Sequence, residues 1–368
     1  MSFENEIKEF ARSQGADLVA VAPIEVYSDY LAEVKGRLAE TGADLKAYMI
    51  QPEDMSFFER LSDPRRTLPN AKAIIVLGVS AYDETAAYTN TRRELRGKTA
   101  RIYAYYPVVR QIAEKLAAFI EERGYKAVQG QHIPLKYVAD RTKLGTYGKN
   151  ALLLTKQYGS YVALRNVITN LSLSPDMLEE FVPPCGDCDM CLKACPTGAL
   201  YAPYKVNPSL CINPLTRRQN DIPPELRSKM QNWICGCDIC QEVCPVNRKL
   251  TVRQIDPRAG FDSRHHASHR YLDNIERTPH LTDILSEVYP DVIRRNAAIA
   301  LANVGKGKRE SLAALKMHIA STSEELTQYY LWAISALEGF EKNQRLKIFG
   351  EINSAICLPR KVRVRGGG

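Results

Sequence analysis

Eight of the ten cysteines in this 368-residue chain fall into two blocks whose spacing suits iron–sulfur chemistry. The first is Cys185-x2-Cys188-x2-Cys191-x3-Cys195-Pro196. The second is Cys237-x2-Cys240-x3-Cys244-Pro245, with Cys211 between the blocks. Three thiolates separated by two residues lie on one tight loop and reach three corners of one cubane. A fourth, three residues further on, points away and serves the other cluster. The spacing assigns Cys185, Cys188, Cys191 and Cys244 to one [4Fe–4S] cluster, and Cys195, Cys211, Cys237 and Cys240 to a second. The proline after each fourth cysteine is expected to open a helix. Zinc is the competing reading, because paired Cys-x2-Cys is also zinc spacing. A third cysteine at the same interval and the trailing Cys-Pro favour iron–sulfur. The two remaining cysteines, Cys235 and Cys357, read as packed thiols.

Composition frames this chemistry. A hydrophobic fraction of 45% and a charged fraction of 25% are ordinary for a globular protein. No apolar run reaches membrane-spanning length, and Met1-Ser2-Phe3-Glu4-Asn5-Glu6 is not a signal peptide. Cysteines committed to clusters need a reducing compartment, so the expected location is the cytoplasm, with no membrane partner. The formal charge is +8, and from Pro290 onward 13 Lys/Arg stand against 7 Asp/Glu. Four of those cations lie in Arg360-Lys361-Val362-Arg363-Val364-Arg365. Such a face attracts a phosphate backbone; a solvated helix surface with a basic tail is the alternative.

The elements that must position the thiols imply an α+β fold in three parts. Residues 1–175 form an α/β layer: Asp17–Pro23 and Ala73–Val79 read as buried strands. Val108–Arg123 has helical apolar spacing, closed by Gly124. Ala151–Leu154 and Tyr161–Leu164 look like a strand pair joined through Gly159-Ser160. Residues 176–250 are a ferredoxin-like two-cluster module, entered through Phe181-Val182-Pro183-Pro184. Residues 251–368 read as helical, with amphipathic helices near Val292–Gly305, Ser311–Ala320 and Glu324–Glu338 that suggest HEAT-type pairs. A plain ferredoxin needs only the central module, so the flanking mass implies a second redox centre or a substrate site.

Five strings carry a resemblance to a known family: Gly145-Thr146-Tyr147-Gly148-Lys149-Asn150; Tyr158-Gly159-Ser160-Tyr161-Val162; Cys195-Pro196-Thr197-Gly198-Ala199-Leu200; Gly236-Cys237-Asp238-Ile239-Cys240-Gln241-Glu242-Val243-Cys244-Pro245; and Arg295-Asn296-Ala297-Ala298. With the order of the three parts, the chain resembles the epoxyqueuosine reductases over nearly its whole length. The resemblance implies a corrinoid-dependent reductase that removes the epoxide oxygen of a modified base in tRNA. An external low-potential donor would feed electrons through the two clusters to cobalamin in the N-terminal domain, near Tyr103, Lys149, Asn150, Gly159 and Ser160. tRNA would meet the basic C-terminal helices and tail.

Three stretches depart from the family pattern. The family's acidic proton donor has no counterpart in Val128-Gln129-Gly130-Gln131-His132-Ile133. Its Tyr-Ala-x-Gly-Arg-Asp string is Tyr103-Ala104-Tyr105-Tyr106-Pro107-Val108 here, and its Leu-Gly-Glu is Leu164-Arg165-Asn166. Candidate proton donors are therefore His132, Asp140 and a phenol at Tyr105 or Tyr106, with Arg110 or Lys143 lowering its pKa. The alternatives are a paralogue that reduces a small molecule, as reductive dehalogenases do, and a non-enzymatic electron carrier or activator of a corrinoid protein. Gly145–Lys149 lacks the glycine gap of a phosphate loop. His265, His266 and His269 read as a solvated linker face.

Overall fold

The computed structural model describes residues 2–48, 54–82, 94–130, 133–176, 181–218, 221–250, 279–305 and 309–339. His132, Cys357, His265, His266, His269 and the Arg360–Arg365 tail lie outside them. In order, the elements are α1 (Phe3–Ser13), β1 (Leu18–Pro23), α2 (Ser28–Thr41), α3 (Ser56–Leu61), β2 (Ala73–Ser80), β3 (Lys98–Thr99), α4 (Tyr106–Glu121), β4 (Ala127–Gly130), α5 (Leu135–Arg141), β5 (Thr146–Tyr147), β6 (Leu153–Leu154) and β7 (Val162–Thr169). Then follow α6 (Met190–Ala194), α7 (Ile212–Arg217), α8 (Pro224–Arg227), β8 (Trp233–Cys235), α9 (Ile239–Glu242), α10 (Asp291–Val304), α11 (Arg309–His318) and α12 (Glu324–Glu338).

The main sheet has the order β1-β2-β7-β4, and every neighbouring pair is antiparallel. Side chains alternate between its faces. Val21, Ile75, Leu77 and Val167 pack against α1 and α4 on one face; Ala22, Val76, Leu164 and Ile168 pack under α5 on the other. All of β2 is buried, as the run Ala73–Val79 requires of an interior strand.

The expected pairing of Leu153–Leu154 with Tyr161–Leu164 is not formed. β7 is buried at all but one position and needs a partner on both edges, which β2 and β4 provide. β6 instead closes a small hairpin with β5, and the Gly145–Asn150 string forms its arm and turn. A Cβ on Gly145 would sit 2.6 Å from the Leu154 carbonyl oxygen, so close backbone approach, not phosphate binding, demands glycine there. Pro196 also departs from expectation. Cys195 closes α6 and does not open a helix, whereas Pro245 does begin a 3-10 turn, Pro245–Lys249.

α10 is no amphipathic surface helix. Every residue from Ile293 to Ala302 is buried, because α12, α7 and β8 pack around it. Its polar side chains hold neighbouring backbone. Asn296 Nδ2 donates to the carbonyls of Thr216 (2.7 Å) and Ile234 (2.8 Å). Arg295 Nη2 donates to those of Leu215 (2.9 Å) and Arg218 (3.1 Å), at the C-terminal end of α7. Replacing Asn296 by Ala leaves two buried carbonyls unpaired. The expected cost is about 2–3 kcal/mol, read as a lower denaturant midpoint.

Candidate iron–sulfur centre and its seam

The short loops of the central module bring eight thiols into two facing groups. The charges of Cys185 and Cys244 act on Cys191, and those of Cys185 and Cys188 act on Cys244. In the second group Cys195 acts on Cys211, Cys240 and Cys211 act on Cys237, and Cys211 and Cys195 act on Cys240. Cys244 thus lies near thiols of the first block, and Cys195 near Cys211 and Cys240. Cys191 also acts on Cys240, so the groups adjoin. Among the described residues no three His, Cys, Asp or Glu side chains converge tightly enough to share one metal ion. Burial drives the Cys237 and Cys240 thiols well above the ordinary range and Cys211 up to about 11. Cys235 stays apart from both groups: it is fully buried in β8, beside Arg217.

A cleft exposes the first group. Cys185, Cys188, Cys191 and Cys244 line it together with Gly148, Lys149 and Asn150. Lys149 Nζ donates to the Gly186 carbonyl, and the Asn150 side chain caps its own turn by accepting from Leu152 N–H at 3.2 Å. Tyr103 braces the second group. Its hydroxyl donates to Asn213 Oδ1, two residues beyond Cys211, and its ring covers Gly236, where a Cβ would meet Tyr103 Cε2 at 2.4 Å.

Gly159 and Ser160 dock on the module. Ser160 Oγ donates to Gln241 Oε1 (2.9 Å) and accepts from Asn247 Nδ2 (2.9 Å), while Ser160 N–H donates to Asn247 Oδ1 (3.0 Å). Gln241 Nε2 in turn donates to Asp238 Oδ1 (2.8 Å), and Asp238 Oδ2 accepts from Arg101 N–H (2.8 Å). Asp238 is fully buried, with the Arg101 guanidinium 4.0 Å away and lying over the rings of Tyr82 and Tyr161. Sequence reasoning missed Asp238, Gln241, Asn247 and Arg101. The available signal was uncharged polar residues one and three places after Cys240 and Cys244, where solvent-facing side chains would be expected to carry charge.

The proton-donor candidates are not brought together. Tyr105 is fully buried in the core under α4, on the face of the sheet opposite α5. Asp140 lies in the last turn of α5. The expected lowering of a phenol pKa fails at Tyr106. Burial raises it, and the opposing cations are Arg217 and Arg165, neither of them the expected Arg110 or Lys143. In the Val128–Ile133 stretch, Gln129 Oε1 accepts from Arg165 Nη2 (3.1 Å) and Nε (3.3 Å). On the α5 face, Asn166 is fully buried and neither amide atom has a partner. An orphaned amide there fits a bound group with its own donors and acceptors.

Thiol arrangement and fold together define an iron–sulfur oxidoreductase with a separate α+β layer. Residues 184–247 match the family described as 4Fe-4S double cluster binding domain. The chain is 31% identical over 262 residues to an epoxyqueuosine reductase of Atelocyanobacterium thalassa, covering 68% of this chain and 82% of that one. It is 33% identical over 255 residues to that of Bacillus subtilis, a match that takes in 67% of this chain but only 64% of its relative. The solved epoxyqueuosine reductase of Streptococcus thermophilus superposes with a TM-score of 0.73 at 26% identity, covering 98% of this chain and 95% of that one. An epoxyqueuosine reductase solved with an epoxyqueuosine-modified tRNA-Tyr stem loop gives 0.65 at 25% identity, covering 91% and 99%. The chain belongs to the epoxyqueuosine reductase family.

Two outcomes follow for the seam. Gly159 has φ +52°, and a Cβ there would lie 2.0 Å from Asn247 Oδ1. Gly159→Ala should therefore destabilise by more than the ~1 kcal/mol of backbone strain alone, and Ser160→Ala by about 1–3 kcal/mol, in denaturant titrations. In metal-free protein the raised thiols hold their protons more tightly folded than unfolded. The stability they contribute is present below about pH 8.5. It is lost as pH rises toward about 11, the folded value at Cys211, which a thermal melt series would record.

Proposed function

We propose that this chain is a cytoplasmic, cobalamin- and iron–sulfur-dependent reductase that removes the epoxide oxygen of epoxyqueuosine in tRNA. The observation that carries the reading is the interleaved pair of thiol quartets docked, through Ser160, on an α+β layer with an orphaned buried amide. Two [4Fe–4S] clusters suit this donor set: Cys185, Cys188, Cys191 and Cys244 for one, Cys195, Cys211, Cys237 and Cys240 for the other. The proposed parts are residues 1–175 for cofactor and substrate, 176–250 for the clusters, and 251–368 as a HEAT-like helical domain. The basic tail of that last part would hold tRNA phosphates.

Cobalamin, when bound, supplies a low-potential two-electron centre that no side chain offers. The Asn166 amide would meet the cofactor's polar rim. Tyr103, Lys149, Asn150, Gly159 and Ser160 stand on the seam between the clusters and that layer. Their role in this reading is to hold the cofactor domain against the cluster module, with Lys149 and Asn150 along the cleft of cluster one. A proton must reach the leaving epoxide oxygen. Asp140 on α5 shares the face of Asn166 and is the proposed donor, ahead of His132 and of Tyr105, which is enclosed on the opposite face. A second reading, reduction of a small molecule, draws on the Gln129–Arg165 pair in the Val128–Ile133 stretch, which carries no carboxylate.

The test is anaerobic turnover of an epoxyqueuosine-containing tRNA stem loop under a strong reductant, with loss of one oxygen followed by mass spectrometry. The parent protein should turn over. Asp140→Asn should fall by about 100-fold or more, with His132→Gln and Tyr105→Phe retaining most activity. Clusters and corrinoid that cycle while the base keeps its oxygen would move the assignment to the small-molecule reading.

A further inference from the structure

The two thiol groups meet the surface differently. Around the second group, Ile212, Trp233, Ile234, Cys235 and Asp238 are at most 3% exposed and belong to or border the core around α10. Around the first, Val182 is 75% and Met190 37% exposed, and Pro184, Gly186 and Asp187 are exposed as well. Pro184 and Met190 line the cleft together with the four thiols. An exposed apolar patch therefore borders the first thiol group, while the half-buried thiols of the second lie beside the core around α10.

The rim of this patch is cationic. Arg248 and Lys249 are exposed at the end of the turn begun by Pro245, whose Val246 also lines the cleft. Lys149 lines the cleft as well, and Lys156 is exposed on the turn that Gly159 packs against Asn247. Among the described residues the nearby carboxylates are Asp187 and Glu242; Asp189 is engaged by Lys193 at 2.9 Å. Among the described residues the excess around the patch is positive.

We propose that this face, the 181–190 loop with the Pro245–Lys249 turn, is the docking surface for a small acidic electron-carrier protein. The inference rests on the reading that the thiols hold two clusters. A cationic rim steers an acidic partner, and a compact apolar centre lets its redox group approach cluster one. Electron-transfer encounters need only a small interface, which this patch matches. One electron crosses per encounter: the carrier is oxidised by one and cluster one is reduced by one, with no bond made and no proton moved. Phosphate of tRNA would also be drawn to the rim, but an apolar centre beside the thiols gives a phosphate backbone nothing to bind.

The experiment uses the full chain with both clusters loaded, mixed rapidly with reduced flavodoxin while the visible cluster absorbance is followed. Arg248→Glu with Lys249→Glu should slow this bimolecular reduction by about tenfold at low salt and flatten its salt dependence. Reduction by dithionite at high salt, and binding of a tRNA stem loop, should stay as in the parent. An unchanged flavodoxin rate overturns the proposal, as does a matching fall with dithionite at high salt. A loss of stem-loop affinity in place of flavodoxin reduction assigns the rim to tRNA and equally overturns it. Failure of the chain to take up clusters at all would instead overturn the underlying two-cluster reading.

Discussion

A buried chain of hydrogen bonds from Arg101 through Asp238, Gln241 and Ser160 to Asn247 is the constraint on which the rest of this structure depends. A carboxylate enclosed beside thiolates is costly unless its oxygens are paired. Asp238 meets that demand with one backbone N–H, one side-chain amide and a nearby guanidinium. Because Gln241 follows Cys240 and Asn247 lies three beyond Cys244, satisfying Asp238 also fixes both thiol groups against the Gly159–Ser160 turn. Electrostatics in the module and geometry at the seam are one problem with one solution.

The central module could not achieve this alone. Its helices are four to six residues long, too short to nucleate or to build a core of their own. Order is supplied from both sides. From the N-terminal layer, β3 pairs with β8, and Tyr103 wedges between Asn213 and Gly236. From the C-terminal side, Arg295 and Asn296 of α10 gather the end of α7 and the backbone of β8. The Arg-Asn-Ala-Ala string is thereby explained: two polar residues that bond backbone and two small ones that let α10 sink into its neighbours.

What could be read from the sequence divides along physical lines. Local signals were sufficient for a double-cluster cysteine module, for β1 and β2 as buried strands, and for α4, α10, α11 and α12 as helices. Apolar period and cysteine spacing are properties of a few consecutive residues. Tertiary choices were not legible. Leu153–Leu154 and Val162–Leu164 are both apolar runs near a turn, and only burial on both faces sends β7 to the sheet interior and β6 to a hairpin. Tyr106 sits among cations, yet desolvation outweighs them, and no sequence reports how deep a phenol lies. The roles of Ser160 and Gln241 depend on contacts 81 residues apart. The α+β assignment stands, and the α/β layer expected of the N-terminal part is built on an antiparallel sheet.

The central claim is that the two blocks exchange their last thiols, so that two clusters are tied into one unit. The most direct measurement is iron content with low-temperature EPR on Cys195→Ala and Cys244→Ala after reconstitution. The account predicts that each variant loses a different cluster. Cys244→Ala should lose the one held by Cys185, Cys188 and Cys191, and Cys195→Ala the one held by Cys211, Cys237 and Cys240. If both variants lost the same cluster, or if Cys244→Ala spared the first block's signal and removed that of Cys237 and Cys240, the interleaved assignment would be contradicted.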